Sequence, residues 1–429
     1  MRSRFFSVPG TIVAAASFAW GVASCGAGAE EGPNRCLASV PAGMVVPANA
    51  AQRPLLGVQH NEPAFGPCVQ RVSDHQGHNE VMAVHVGARA QAFNADGSAV
   101  LLRKGQVLRL SDRKLVGQMP AADTGWVWSN DVATLAFAMK GNQIVSFDFQ
   151  SNVQTAVQTF ARYERLLSES GLWLPSSEGT WALGGQLSPH NGQAPAKELF
   201  LWNPKNVSSF SALQVAADSV GHVPSPRWLQ TRPDGQGFVV AWASTGLNKA
   251  FAGIELYDQQ GVRVRQLRPA FEICDLALDE KRSAWIVCAQ PPAQDESTLA
   301  VTKHSLADTF APPQILLRVS VEHNVELSCV ARGTSTCALS AVGATQNTPL
   351  SGEIAVFSLN SRAESPQLWR LAHHNSSTAA ITTHTEQVCP LEASSVLPHA
   401  TLDRRGKRVL FGSNWVSNCF AELYLIDYR

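Results

Sequence analysis

The stretch Asp403-Arg404-Arg405-Gly406-Lys407-Arg408-Val409-Leu410-Phe411-Gly412-Ser413-Asn414-Trp415 decides the fold. It reads as a polar turn that opens into an apolar strand. His399-Ala400-Thr401-Leu402 leads into the turn, and Glu422-Leu423-Tyr424-Leu425-Ile426-Asp427 follows as a third strand. Short apolar runs separated by Asp/Gly turns point to antiparallel strands.

The same theme recurs upstream. Ala95-Asp96-Gly97-Ser98 precedes Ala99-Val100-Leu101-Leu102, and Ser129-Asn130-Asp131 precedes Thr134-Leu135-Ala136-Phe137. Ser177-Glu178-Gly179 leads to Trp181-Ala182-Leu183, and Pro233-Asp234-Gly235 to Phe238-Val239-Val240-Ala241-Trp242. Two further copies centre on Asp279-Glu280-Lys281-Arg282 and Arg332-Gly333-Thr334. The seven turns fall near residues 97, 131, 179, 235, 281, 333 and 406. Most intervals match four-stranded blades of about 40–50 residues. The last interval is long because residues 372–396 read as an inserted loop.

A sheet of this size cannot bury both faces by itself, so the units must stack. Radial stacking predicts an all-β, seven-bladed β-propeller of four-stranded antiparallel blades over residues 67–429. Two β-sandwiches are the alternative, disfavoured because the repeats continue to the last residues. The seventh copy supplies three strands, and Val69-Gln70-Arg71-Val72 is placed to add the fourth and close the ring. Closure removes a pairing edge.

Residues 1–24 have the pattern of an export signal: Arg2 and Arg4, an apolar stretch from Phe5 to Val22, then small residues. Val22-Ala23-Ser24-Cys25 resembles the lipobox of bacterial lipoproteins. The resemblance implies cleavage before Cys25, lipid on its sulfur, and a location at the bacterial cell envelope. Residues 25–66 then read as a tether. The nine cysteines less Cys25 leave eight, an even number that suits disulfides in an exported chain. Hairpin symmetry pairs Cys274 with Cys288 and Cys329 with Cys337. Exclusion leaves Cys36 with Cys68 and Cys389 with Cys419.

Lys and Arg total 34 against 34 Asp and Glu; removing Arg2 and Arg4 leaves 32 against 34, about −2. Charged residues make up only 16% of the chain and form no basic cluster, so a nucleic-acid partner is not expected. A monomer is expected.

The run from Asp403 to Trp415 with Leu423–Asp427 resembles the WD40-like repeat of TolB-type propellers, and Arg232-Pro233-Asp234-Gly235 matches it closely. The chain carries no Gly-x-Ser-x-Gly elbow, His-Glu-x-x-His or phosphate-binding Gly-rich loop, so no catalytic residue is assigned. Histidines are the candidate ligands. His373 and His374 open the long insertion, His399 lies on the inner strand of blade seven, His222 precedes that of blade four, and His78 and His85 precede blade one. Converging histidines favour a divalent transition metal. Pro398-His399-Ala400-Thr401 resembles oligogalacturonide lyases, propellers whose channel mouth holds a metal through histidines. Trp128 and Trp228 are candidates for stacking on a sugar, with Arg227 for pairing with its carboxylate. The expected function is an envelope module that binds a protein or glycan. The alternative is a metal-dependent polysaccharide lyase or hydrolase.

Overall fold

The computed structural model describes residues 40–41, 43–46, 52–62, 65–76, 82–168, 171, 173–189, 195–205, 212–215, 223–243, 251–268, 273–290, 298–308, 310–320, 323–343, 348–376, 397–415 and 420–428. Among them the chain is all-β, without an α-helix.

Seven sheets follow one another along the chain, antiparallel except that Met82–Ala83 pairs parallel with Ala421–Asp427 in the seventh. Blade one contains Ala99–Leu101, Gln106–Arg109 and Lys114–Gln118, and its inner strand is reduced to a bridge from Phe93 to Val100. Blades two to six run inner to outer from Val127–Trp128 to Val153–Thr159, Arg165–Leu166 to Ala212–Val215, Pro226–Thr231 to Arg263–Arg268, Ile273–Leu278 to Gln314–Ser320, and His323–Ser328 to Leu368–His373. Blade seven begins with Thr401–Leu402, Arg408–Ser413 and Ala421–Asp427. Gly66–Arg71 completes it, with Val69 opposite Ile426 and Arg71 opposite Tyr424. The expected closing strand is therefore in place. Gln59–Glu62 adds a fifth strand outside it. Part of the segment read as a tether thus belongs to the seventh sheet.

The ring follows from where the apolar residues lie. Each sheet is apolar on both faces, and the core divides into clusters that each bridge neighbouring blades. Leu101 and Val107 of blade one meet Trp128 and Val145 of blade two. Ala182 and Leu199 meet Val240 and Trp242. Leu410 and Leu423 of blade seven meet Phe93 and Val100 of blade one, which returns the stack to its start.

The turns that mark the repeat work through aspartate. Asp403 Oδ1 accepts the amides of Lys407 (2.8 Å) and Arg408 (3.1 Å), and Asp96 Oδ1 that of Ser98 (2.9 Å). In blade four, Gly235 supplies the left-handed turn residue at φ 76°. Two residues on, a side chain at Gly237 would collide with the carbonyl oxygen of Tyr257.

A second repeated device is a glutamate near the start of the third strand. Glu198, Glu255, Glu353 and Glu422 are all buried. Glu198 accepts from Tyr163 Oη (2.9 Å) and Arg162. Glu255 accepts from Trp242 Nε1 (2.7 Å) and Tyr257 Oη (2.6 Å). Glu353 holds Arg370 through two bonds of 2.7 and 2.5 Å. Buried carboxylates need such partners. At Glu422 the partners close the ring, as Arg53 Nε (2.9 Å) and Arg71 Nη1 (3.3 Å) come from the N-terminal part of the chain.

Two of the expected disulfides are present. Cys274 and Cys288 face each other across the first two strands of blade five at a Cα separation of 4.1 Å, and Cys329 joins Cys337 at 4.3 Å. Cys36, Cys389, Cys419 and the side chain of Cys68 lie outside the described residues, as does Cys25.

Candidate ligand site at the channel mouth

The inner strands line a channel. They begin at one mouth, termed here the upstream mouth, and end at the other, the turn mouth. A cavity of about 320 Å³ at the upstream mouth is lined by residues that include Ala88, Arg89, Trp173, Ile273, Glu326 and His399. These come from blades one, three, five, six and seven.

Arg89 is the centre of this site. A turn closed by the Ala90 amide on the Gly87 carbonyl (3.1 Å) presents it just before the inner strand of blade one. Its guanidinium carbon lies 5.5 Å from the ring centroid of Trp173 and 5.8 Å from that of Trp228. Both fall within cation–π range. Burial lowers its pKa, while Asp275 and Glu326 pull in the opposite direction. The indole nitrogen of Trp228 is buried without a partner.

Asp275 lies within the channel wall on the inner strand of blade five. Its carboxylate accepts the amides of Cys329 (2.7 Å) and Leu276 (2.8 Å). Burial pushes its pKa up to about 6, opposed by these bonds and by the charges of Arg89 and Arg332.

His399 is held on three sides. Its amide donates to Glu326 Oε2 (3.0 Å), and its Nδ1 lies 2.8 Å from Glu326 Oε1. Its carbonyl accepts from His85 Nε2 (2.6 Å). The backbone at His399 has φ 48°, a left-handed conformation that a non-glycine residue holds only when its surroundings fix it. His85 is fully buried and neutral, its pKa lowered by burial and by His399 to about 3. It braces His399 rather than presenting a second ligand.

The other expected ligands lie elsewhere. His373 and His374 are not among the residues lining this cavity with His399. They stand at the end of the outermost strand of blade six, where His373 Nε2 meets the Val46 carbonyl (3.1 Å) and His374 Nε2 that of Ala341 (3.2 Å). Both are buried, satisfying backbone groups at the rim. His78 and His222 lie outside the described residues. Trp128 is fully buried, donates to the Ala92 carbonyl (2.8 Å) and packs edge-on against Phe149, so it belongs to the core between blades one and two. Arg227 is exposed at a bulge in the inner strand of blade four. Of that trio, Trp228 lies against Arg89. Arg89, Trp173 and Glu326 were missed from sequence. Counting back from the Asp96-Gly97 turn would have placed Arg89 at the start of an inner strand.

Among the described residues, one cluster has metal-type donors. Asp74, His75 and Glu422 offer ligand atoms within 4.8 Å of one another. Glu422 already carries Arg53 and Arg71, and His75 Nδ1 bonds to it at 2.8 Å. Two guanidiniums at the carboxylate oppose a divalent cation there. At the upstream mouth His399 is the one histidine among the described lining residues, so the donor set there does not fit a histidine-held metal either.

No protein-family model and no curated protein matches the chain. Two oligogalacturonate lyases are among the solved structures that share the fold. An oligogalacturonate lyase from Vibrio parahaemolyticus is 14% identical with a TM-score of 0.57, covering 87% of this chain and 96% of that one. An oligogalacturonate lyase in complex with manganese is 16% identical with a TM-score of 0.56, covering 89% of this chain and 98% of that one. At such identity the likeness is one of fold, and it agrees with the seven-bladed propeller.

Proposed function

We propose that this chain is an envelope-anchored propeller that binds an acidic glycan at the upstream mouth. The observation that carries the reading is Arg89 set between Trp173 and Trp228 at the edge of a cavity. Aromatic rings favour the apolar face of a sugar, and a guanidinium favours its carboxylate. Two of the neighbours in fold are named for oligogalacturonate, an acidic sugar polymer, which makes an oligogalacturonide the first ligand to test. We read the repeats as TolB-type on Arg232–Gly235 and Asp403–Asp427. We read Cys25 as the lipid anchor and the cell envelope as the location. Replacing Cys25→Ser is expected to release the protein from membranes or to block its processing; unchanged membrane association removes the anchor from the proposal.

The second reading is a metal-dependent lyase, favoured by the manganese-bound neighbour. The two readings separate by incubation of the protein with an oligogalacturonide, with and without added manganese. A binding module returns the oligomer intact under both conditions and holds it in EDTA. Shorter, unsaturated products that require manganese would replace the first reading with the second.

A further inference from the structure

At the turn mouth, where the inner strands end, a separate cavity of about 470 Å³ is lined by Arg282, Arg332 and Arg404 together with Asn130, Ser177 and Asp279. We propose that this is a second binding site, a seat for the carboxylate of a compact monoanionic ligand the size of a sugar acid. The inference does not rest on the function proposed for the upstream mouth.

The three arginines come from the turns of blades five, six and seven, and each reaches across the channel. Arg282 donates to Ser177 Oγ of blade three (2.8 Å). Arg332 donates to the carbonyls of Pro175 and Leu174, also in blade three. Arg404 donates to Asn130 Oδ1 (2.7 Å) and the Ser129 carbonyl (2.9 Å) of blade two. Every one of these acceptors is neutral.

Other arginines at these turns are neutralised by an aspartate of their own turn. Arg232 forms a two-pronged pair with Asp234 at 3.0 and 2.6 Å, and Arg408 pairs with Asp403 at 3.1 Å. Arg282, Arg332 and Arg404 form no such pair among the described residues. Burial lowers the Arg332 pKa to about 10, opposed by the charge of Asp275 and reinforced by that of Arg404. The neutral bonds fix the guanidinium planes but leave donors over, since each guanidinium carries five N–H groups. Asp275 and Asp131 act on Arg332 and Arg404 only through their charge, and fixed guanidiniums with no bonded carboxylate beside a cavity suit a carboxylate ligand.

The acidic neighbours set the charge of the ligand. Asp279 is engaged by its own turn, accepting the amides of Lys281 (2.9 Å) and Ser283 (2.7 Å) and the indole of Trp285 (3.0 Å). Glu280 also lines the cavity, and Asp131 acts on Arg404. These carboxylates oppose a compact dianion such as phosphate and tolerate a single negative charge.

The test is calorimetric titration of the full chain with D-glucuronate, in an Arg89→Gln background so that the upstream mouth does not contribute. Glucose and inorganic phosphate serve as the neutral and dianionic comparisons. Glucuronate is expected to bind more tightly than either. Arg282→Gln, Arg332→Gln and Arg404→Gln are each expected to weaken it roughly tenfold or more. Arg282 makes one side-chain bond and is the variant least exposed to misfolding, so it keeps the test decisive. Equal binding of glucose, tighter binding of phosphate, no measurable glucuronate binding, or unchanged affinity in Arg282→Gln would each overturn the seat.

Discussion

At the upstream mouth one arginine lies between two tryptophans; at the turn mouth three arginines reach across the channel to neutral acceptors. The difference lies in how each positive charge is held. Arg89 is flanked by π-faces and feels two carboxylates, Asp275 and Glu326. Arg332 and Arg404 are fixed through carbonyls and an amide, with their Nε atoms buried and unpartnered. The first arrangement leaves an aromatic-walled cavity suited to a sugar. The second braces the end of the channel and concentrates donors for an anion. Asp275 lies between them in the channel wall and interacts with an arginine from each side.

The largest effect expected is that of acid. His85, His304 and His374 are buried and held neutral, their pKa values lowered mainly by burial to about 3, 4 and 4. The stability they contribute is complete above their ordinary value of 6.5 and is lost as pH falls toward those lower values. Each removes up to about 1.4 kcal/mol per pH unit over that range. Asp275 acts in the opposite sense. Its raised pKa means that its contribution is full below 3.8 and is lost as pH rises through about 6. Three groups outweigh one, so the urea midpoint should drop between pH 6.5 and 4.5. His85 braces the upstream mouth and none of the three lies at the turn mouth, so ligand binding at the upstream mouth should weaken first. A midpoint that is flat across this range contradicts the assignment.

Cutting the link between the mouths comes next. Asp275→Ala leaves the Cys329 and Leu276 amides without their acceptor and two arginines without their shared counter-charge. It should destabilise the fold by about 3–5 kcal/mol. Asp275→Asn keeps one of the two acceptors and should cost less than half as much. Equal losses in denaturant unfolding would show that Asp275 is not held through these amides.

The braces should matter more for folding than Arg89 does. Arg332→Gln is expected to cost about 1–3 kcal/mol, because the Leu174 and Pro175 carbonyls lose their donor. Arg89→Gln should cost less, about 1 kcal/mol, since it takes no donor from a carbonyl and leaves Arg332 as a counter-charge for Asp275. The reverse order in unfolding experiments would exchange the roles assigned to the two ends. The smallest effect expected is that of Trp173→Ala, which should weaken oligogalacturonide binding by about two- to tenfold in calorimetry. No change would remove stacking from the site.

The repeat was legible because its marks are local. An aspartate that accepts amides two to five residues ahead gives the same signature at Asp96, Asp279 and Asp403. The short seventh unit and its completion near Val69 followed from counting strands. The buried glutamates were not legible, because a charged residue in an apolar strand reads as a solvent-facing position. Their partners Arg53 and Arg71 lie more than 350 residues from Glu422. At the candidate site, His399 and Trp228 were reached through their place on inner strands. Arg89 was not, because Gly87-Ala88-Arg89-Ala90 lacks strand alternation and its place follows only from counting back from the Asp96-Gly97 turn. His373 and His374 misled in the opposite way. A pair of histidines before an insertion suggests a loop ligand, yet the outer strand of blade six extends through His373 and buries both rings.

The central claim is that Arg89 at the upstream mouth holds an acidic glycan without a metal. Its most direct test is calorimetric titration of an oligogalacturonide in EDTA, using an Arg282→Gln background in which the turn-mouth seat is weakened. That background should bind the oligomer, and adding Arg89→Gln should reduce its affinity roughly tenfold or more. Binding unchanged by Arg89→Gln, or binding that appears only when a divalent metal is supplied, would contradict the account.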